Sequence, residues 1–147
     1  MTKPRLPRLN HVAMSLPADA LDAENRKQIT TFYNDVFGWI EYDMLTQDRR
    51  RLVLRVHSDE QFVFLIADDD PMKTPRLDHF GMSVGTLDEF EDLYKKVQDK
   101  AAADSDVDLI QRDVESYEGY LNLHNFYVRY KLPLMVEVQH FEYLHSS

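Results

Sequence analysis

The sequence predicts an α+β fold made of two βαβββ modules packed around a central cleft. Three observations predict it. Leu9-Asn10-His11-Val12-Ala13-Met14-Ser15-Leu16 returns 68 residues later as Leu77-Asp78-His79-Phe80-Gly81-Met82-Ser83-Val84, with leucine, histidine, methionine and serine at the same four places. Each copy is followed by an amphipathic helical stripe. Each stripe is followed by three strand-like runs. The chain has 147 residues, the size of one domain, and we read 1–147 as a single unit with modules at 7–70 and 75–145.

The elements follow in order. Both copies of the octapeptide read as short strands. Between Asp22 and Val36, the residues Ile29, Phe32, Tyr33 and Val36 fall at i, i+3, i+4 and i+7, the stripe of a helix with one buried face. Gly38 stands where that helix should stop. Strands are then expected over Trp39 to Leu45, Arg51 to Val56 and Gln61 to Ala67. A connector rich in aspartate and proline runs from Asp68 to Pro75. In the second module Thr86 can cap a helix, and Glu89 completes a capping box. Phe90, Leu93, Tyr94 and Val97 form the apolar face of that helix. The small, acidic stretch from Ala101 to Asp108 ends it. Strands are expected over Leu109 to Val114, Leu121 to Tyr130 and Leu134 to Phe141. A sheet with its helix on one face needs another layer over the other. Two modules can supply that layer for each other and leave a cleft between them.

Composition narrows the function. Hydrophobic residues make up 44% and charged residues 29%, a globular balance. Seventeen Lys and Arg against 26 Asp and Glu give a net charge of −9, which repels phosphate backbones and excludes nucleic acid as a partner. No apolar run reaches the length of a membrane span, and no apolar signal core follows the basic start Met1-Thr2-Lys3-Pro4-Arg5. A cytoplasmic location is therefore expected. With no cysteine, disulfides, thiolate metal sites and cysteine nucleophiles are all excluded. Arg49-Arg50-Arg51 reads as a solvated turn that could draw an anionic substrate to the cleft mouth. Phe62, Phe64, Phe126, Tyr120 and Trp39 are read first as packing residues.

Three residues carry the chemistry. A single histidine in an apolar strand is ordinarily a packing or surface residue, but here the repeat holds one at the same place twice, His11 and His79. A pseudo-twofold arrangement brings such positions together. Glu137 lies in Leu134-Met135-Val136-Glu137-Val138-Gln139, where both strand faces are partly apolar. A carboxylate there is costly to bury unless it is paired or binds a cation. The simpler reading of Glu137 is a solvated edge position or a salt bridge to Arg129. Two imidazoles and one carboxylate suit a divalent transition metal, Fe(II) above all, with Mn, Zn and Ni tolerating the same ligands.

From about Leu9 to Phe141 the sequence resembles the vicinal oxygen chelate superfamily, which contains the glyoxalase, bleomycin-resistance and extradiol dioxygenase proteins. The resemblance rests on the two histidine strands and on Thr31-Phe32-Tyr33-Asn34-Asp35-Val36-Phe37-Gly38-Trp39. It rests also on Phe126-Tyr127-Val128-Arg129 followed by Met135-Val136-Glu137-Val138. It implies a glyoxalase-like half-barrel in which His11, His79 and Glu137 occupy three of four ligand positions. The fourth falls in Phe62-Val63-Phe64-Leu65-Ile66, which is apolar throughout; Gln61 and Asp68 are the nearest donors and neither fits well. Three ligands match the extradiol dioxygenases, which leave room for a substrate chelating through two vicinal oxygens and for dioxygen. Tyr127, ten residues before the glutamate, then resembles their substrate-orienting tyrosine.

Two departures accompany the resemblance. Tyr130-Lys131-Leu132-Pro133 replaces the usual Asp-Pro-x-Gly turn, and the upstream histidine of the signature is absent near Glu118 to Tyr120. His124, displaced by a few residues, is a candidate acid or base and equally a surface strand histidine. The leading expectation is thus a metal-dependent dioxygenase acting on a small molecule with vicinal oxygens. The alternatives are a non-catalytic drug-binding or resistance protein, and a metal-dependent isomerase or lyase whose missing ligand comes from water or from a dimer partner. A homodimer is compatible with each.

Overall fold

The structure, a computed structural model, describes residues 5–46 and 50–145; the start at Met1 to Pro4 and Arg49 of the arginine run lie outside the described residues. Strand β1 (His11–Leu16) leads through a single 3-10 turn at Ala18–Leu21 into helix α1 (Ala23–Phe37). The Asp22 carboxylate accepts from the Asn25 N–H at 2.8 Å and caps the helix start. Gly38 ends α1 at φ 74°, left-handed backbone that glycine adopts without a Cβ clash. Strands β2 (Ile40–Glu41), β3 (Arg51–Arg55) and β4 (Phe62–Ala67) complete the first module. The second contains β5 (His79–Ser83), α2 (Leu87–Ala103), β6 (Asp108–Tyr117), β7 (Leu121–Arg129) and β8 (Met135–Tyr143). Thr86 and Glu89 form the full capping box at the start of α2.

The strand expected over Trp39–Leu45 shrinks to two residues for a packing reason. Trp39 is buried and stacks on Tyr33 and Phe37, each at 5.0 Å between ring centroids, which draws the chain back onto α1. The Tyr42 carbonyl then accepts from Leu45 N–H (2.9 Å) and Thr46 N–H (3.0 Å) and closes a turn.

Each module forms a four-stranded mixed sheet, in the order β1-β4-β3-β2 and β5-β8-β7-β6. The edge pairs β1–β4 and β5–β8 are parallel, and the rest are antiparallel. Alternation gives each sheet two faces. Met14, Leu16, Val63 and Leu65 in the first sheet, and Phe126, Val128, Val136 and Val138 in the second, point to the helices. All of them belong to one hydrophobic core with Ile29, Phe32, Tyr33, Phe90 and Val97. The modules are thus joined through their helix-bearing sides, with Phe32 against Tyr130 at 4.6 Å and Lys100 bonded to Asp35 at 2.6 Å. The opposite faces, which carry His11, Ala13, His79 and Gly81, are exposed. Helices and the shared core therefore supply the second layer, and each module's other face stays open beside the cleft.

One irregularity shapes the open face of the second sheet. Ile110 pairs with Tyr127, but the next regular pair is Asp113 with Asn125, so β6 holds one extra residue. The bulge lets Arg112 turn inward over the Phe90 and Tyr94 rings (5.2 and 5.7 Å) while Asp113 and Glu115 stay on the face of Tyr127. Among the described residues no helix is long and apolar enough to cross a membrane.

Candidate metal centre and ligand cavity

His79 is on edge strand β5, and Glu137 is on β8 directly beside it. In the parallel register His79 pairs with Met135 and Gly81 with Glu137, so the imidazole and the carboxylate are diagonal neighbours on one face. His79 Nε2 stands 3.8 Å from Glu137 Oε1. His79 Nδ1 is 2.8 Å from the Leu77 carbonyl, which can only accept, so Nδ1 carries a proton and Nε2 is the nitrogen turned toward Glu137. A metal-binding histidine is anchored in this way through its other nitrogen. Two donors bound to one ion at about 2.1 Å stand roughly 3–4 Å apart, so this separation suits a shared divalent cation.

Glu137 is only 8% exposed. Its cross-strand neighbour on β7 is Tyr127; the Glu137 carboxylate facing the phenol, then burial, push the Tyr127 pKa up to about 12. The edge of the His79 ring meets Tyr127 at 5.1 Å. His79, Glu137 and Tyr127 therefore form one cluster, and the salt bridge from Glu137 to Arg129 does not form. Arg129 instead bonds Asp108 (3.4 Å) and the Pro133 carbonyl (3.3 Å).

His11 occupies the matching place on β1, exposed on the open face of the first sheet. Its Nδ1 lies 2.8 Å from Asn10 Oδ1, and its ring stacks on Phe62 at 4.8 Å and 12°. Among the described residues no three His, Asp or Glu side chains gather closely enough to hold one ion, so His11 does not complete the pair within this chain. The residues present fit a divalent metal as two of its ligands, not three.

The register also identifies the counterpart of Glu137. Gly81 pairs with Glu137, and Ala13, its equivalent in the repeat, pairs with Phe64. Phe64 is therefore the register counterpart of Glu137, while Gln61 lies just before β4 and Asp68 just after it.

His124 is placed differently from the proton-carrier expectation. It is three residues from Tyr127 along β7, so it projects from the opposite face and packs beside Phe90 of α2. There Nε2 is 3.2 Å from Glu142 Oε1, and the ring lies 5.9 Å from that of His140, its cross-strand neighbour. The sheet separates it from the candidate centre.

Sequence reasoning singled out Gln61, Phe62 and Arg51 but missed His57, Ser83 and Arg55 around His11. A cavity of about 390 Å3 opens between the start of β1, the β3–β4 turn and β5, with His11, His57, Gln61, Phe62 and Ser83 among its walls. Arg51 and Arg55 also face the open side, opposite Ile66 and Phe64's neighbour Phe62 on β4. Alternation along β3 was the available signal that Arg55 shares the face of Arg51.

No family model matches the sequence, and no curated protein matches it either. Solved structures do match. An integron cassette protein from the Halifax Harbour sewage outfall metagenome superposes with a TM-score of 0.62 at 18% identity, covering 92% of this chain and 99% of its own. A glyoxalase/bleomycin resistance protein/dioxygenase from Alicyclobacillus acidocaldarius gives 0.61 at 14%, with 91% of each chain covered. The fosfomycin resistance protein FosX from Listeria monocytogenes gives 0.60 at 12%, again with 91% of each chain. The neighbours of the last two kinds are members of the vicinal oxygen chelate superfamily, and the likeness spans nearly the whole chain. The chain has the vicinal oxygen chelate fold.

Proposed function

We propose that this protein is a metal-dependent enzyme that binds a small substrate through two vicinal oxygens, with His79, Glu137 and His11 as metal ligands and a ring-cleaving or related dioxygenation as the reaction. The observation that carries the reading is the pairing of His79 Nε2 with Glu137 at 3.8 Å, with the other nitrogen of the ring anchored on Leu77. Fe(II) is the ion whose chemistry fits two imidazoles and a carboxylate with open positions. When bound it would act as a Lewis acid toward the substrate oxygens and supply electrons to dioxygen. Tyr127 holds the Glu137 carboxylate in place and presents its hydroxyl to the substrate oxygen beside it.

His11 reaches the pair when a second copy of the chain is added. Among the described residues, edge strands β1 and β5 each have one side without a strand neighbour, and each displays its histidine on the open face. The two open faces differ in charge: Arg51 and Arg55 on the first module, Asp113 and Glu115 on the second. A twofold pairing that lays the first module of one copy against the second module of the other matches these charges and brings His11 to His79 and Glu137.

Mixing inactive variants tests this reading. His11→Ala and His79→Ala proteins should each lose metal and activity, whereas a mixed dimer regains one complete site, because its other copies of His11 and His79 meet. Failure to recover any metal binding on mixing would refute the shared site. Oxygen uptake with Fe(II) and a catechol panel then separates a dioxygenase from an isomerase. A second reading, a small-molecule binding or resistance protein, is favoured by the cavity beside His11; it predicts ligand binding indifferent to His79→Ala.

A further inference from the structure

The cavity beside His11 is not explained by the metal pair, since neither His79 nor Glu137 is among its walls. Its volume, about 390 Å3, is in the range of small-molecule sites. Among the described residues no aspartate, glutamate, lysine or arginine lines it. Its polar groups are Asn10, His11, His57, Gln61 and Ser83. The cations nearby are already committed. Arg55 is bonded to Asp59 at 3.0 Å, and Arg8 to Glu60 at 3.1 Å, both in the turn that rims the cavity. An anion placed here would lose its hydration without gaining a counter-charge. Apolar wall is available instead: Val12, Val56, Phe62, Val63, Phe80 and Met82 line the cavity, with the Phe62 ring stacked on His11.

We propose that this cavity takes an uncharged aromatic ring, the non-chelating part of the ligand, packed against Phe62 and hydrogen-bonded at its edge by Gln61 or His57. The proposal rests on the preceding reading only in taking the cavity to serve the same ligand. It narrows the substrate class to neutral aromatic compounds and turns away phosphonates, phosphates and carboxylate-rich peptides. Apolar contact and ring stacking supply the affinity, and the amide and imidazole groups set the orientation.

The experiment uses two probes that cannot chelate a metal through vicinal oxygens. One is 2-naphthol, uncharged at neutral pH; the other is phenylphosphonate, a ring carrying an anion. Each is titrated by equilibrium dialysis into metal-free and Co2+-loaded protein. We expect 2-naphthol to bind at least about tenfold more tightly than phenylphosphonate in the metal-free form, where the phosphonate has no ion to ligate. Gly81→Val should weaken 2-naphthol by about tenfold. A Cβ at that position meets only Gln139 Oε1 at 3.9 Å, ordinary contact, so the first added carbon fits at the cavity wall. Phe62→Ala should weaken it similarly, and thermal melts of both variants confirm that they are folded. Equal or tighter binding of phenylphosphonate to the metal-free protein, or 2-naphthol binding untouched by both variants, would overturn the proposal. The visible absorption of bound Co2+ keeps the two readings apart. Ring binding without metal uptake defeats the metal centre alone, and metal uptake without ring binding defeats the aromatic cavity alone.

Discussion

The Tyr33 hydroxyl on α1 donates to the Tyr130 carbonyl at 2.9 Å and accepts from the Tyr130 N–H at 3.1 Å, a two-way bond between residues 97 apart. Tyr33 is fully buried, and burial pushes its phenol far above the ordinary tyrosine range. The bond closes the end of β7 onto the first module's helix. It joins the two modules through their helix sides, and so helps leave the two histidine-bearing faces turned outward.

Tyr33→Phe tests this latch. Removing one oxygen leaves a buried N–H and a buried carbonyl without that partner, which should cost about 1–3 kcal/mol. Urea unfolding measures the loss. Co2+ uptake should be unchanged, because Tyr33 is remote from His79 and Glu137.

A second tyrosine at the same junction predicts alkaline behaviour. The Tyr130 hydroxyl donates to Asp104 at 3.2 Å; burial, then the Asp104 charge, push its pKa up to about 12. A group whose pKa is raised on folding contributes stability that is complete below its unfolded value and lost as pH rises through the folded one. Stability should therefore decline between about pH 10, the unperturbed tyrosine value, and about pH 12. Tyr130→Phe should flatten that part of the profile, measured by unfolding at each pH. A decline of the same size in the variant would remove Tyr130 from the explanation.

His124 separates a structural role from a catalytic one. It is buried on the helix side with Nε2 on Glu142, so His124→Gln should lower stability by about 1–2 kcal/mol. Metal uptake and turnover per folded molecule should be kept. A loss of turnover by orders of magnitude with stability intact would place His124 back in the chemistry.

The parts of the fold that were legible in the sequence are those set by short-range patterns. Ile29, Phe32, Tyr33 and Val36 mark the buried face of α1, Gly38 its end, and Thr86 with Glu89 the start of α2. The histidine repeat marks β1 and β5. Phe64 was harder to identify because the repeat does not keep its period. The first strands are offset by 68 residues, but Phe64 and Glu137 are 73 apart, the second module having longer strands and a bulge. Only pairing register shows that they are equivalent. The separation of His11 from the His79–Glu137 pair was illegible for a different reason: local patterns define each sheet, while the side on which two sheets meet depends on long-range contacts such as Tyr33 with Tyr130.

That equivalence yields the sharpest test of the centre. Phe64 stands to Ala13 and His11 as Glu137 stands to Gly81 and His79, so Phe64→Glu should give His11 the same carboxylate neighbour. Phe64 is only half-buried, which keeps the new charge in reach of water, and the metal-free variant should lose no more than about 1–3 kcal/mol. Metal should more than offset that loss: Co2+ affinity should rise at least about tenfold, and the melting temperature should respond more strongly to Co2+ than in the unaltered protein. In a site shared between two copies the added carboxylate would also fill a position that two substrate oxygens need, so a bidentate catechol should bind more weakly although the metal binds more tightly. Opposite movement of these two affinities is the signature of coordination. If both stay level, Phe64 and Glu137 do not face the same ion, and the pseudo-twofold account of the centre fails with them.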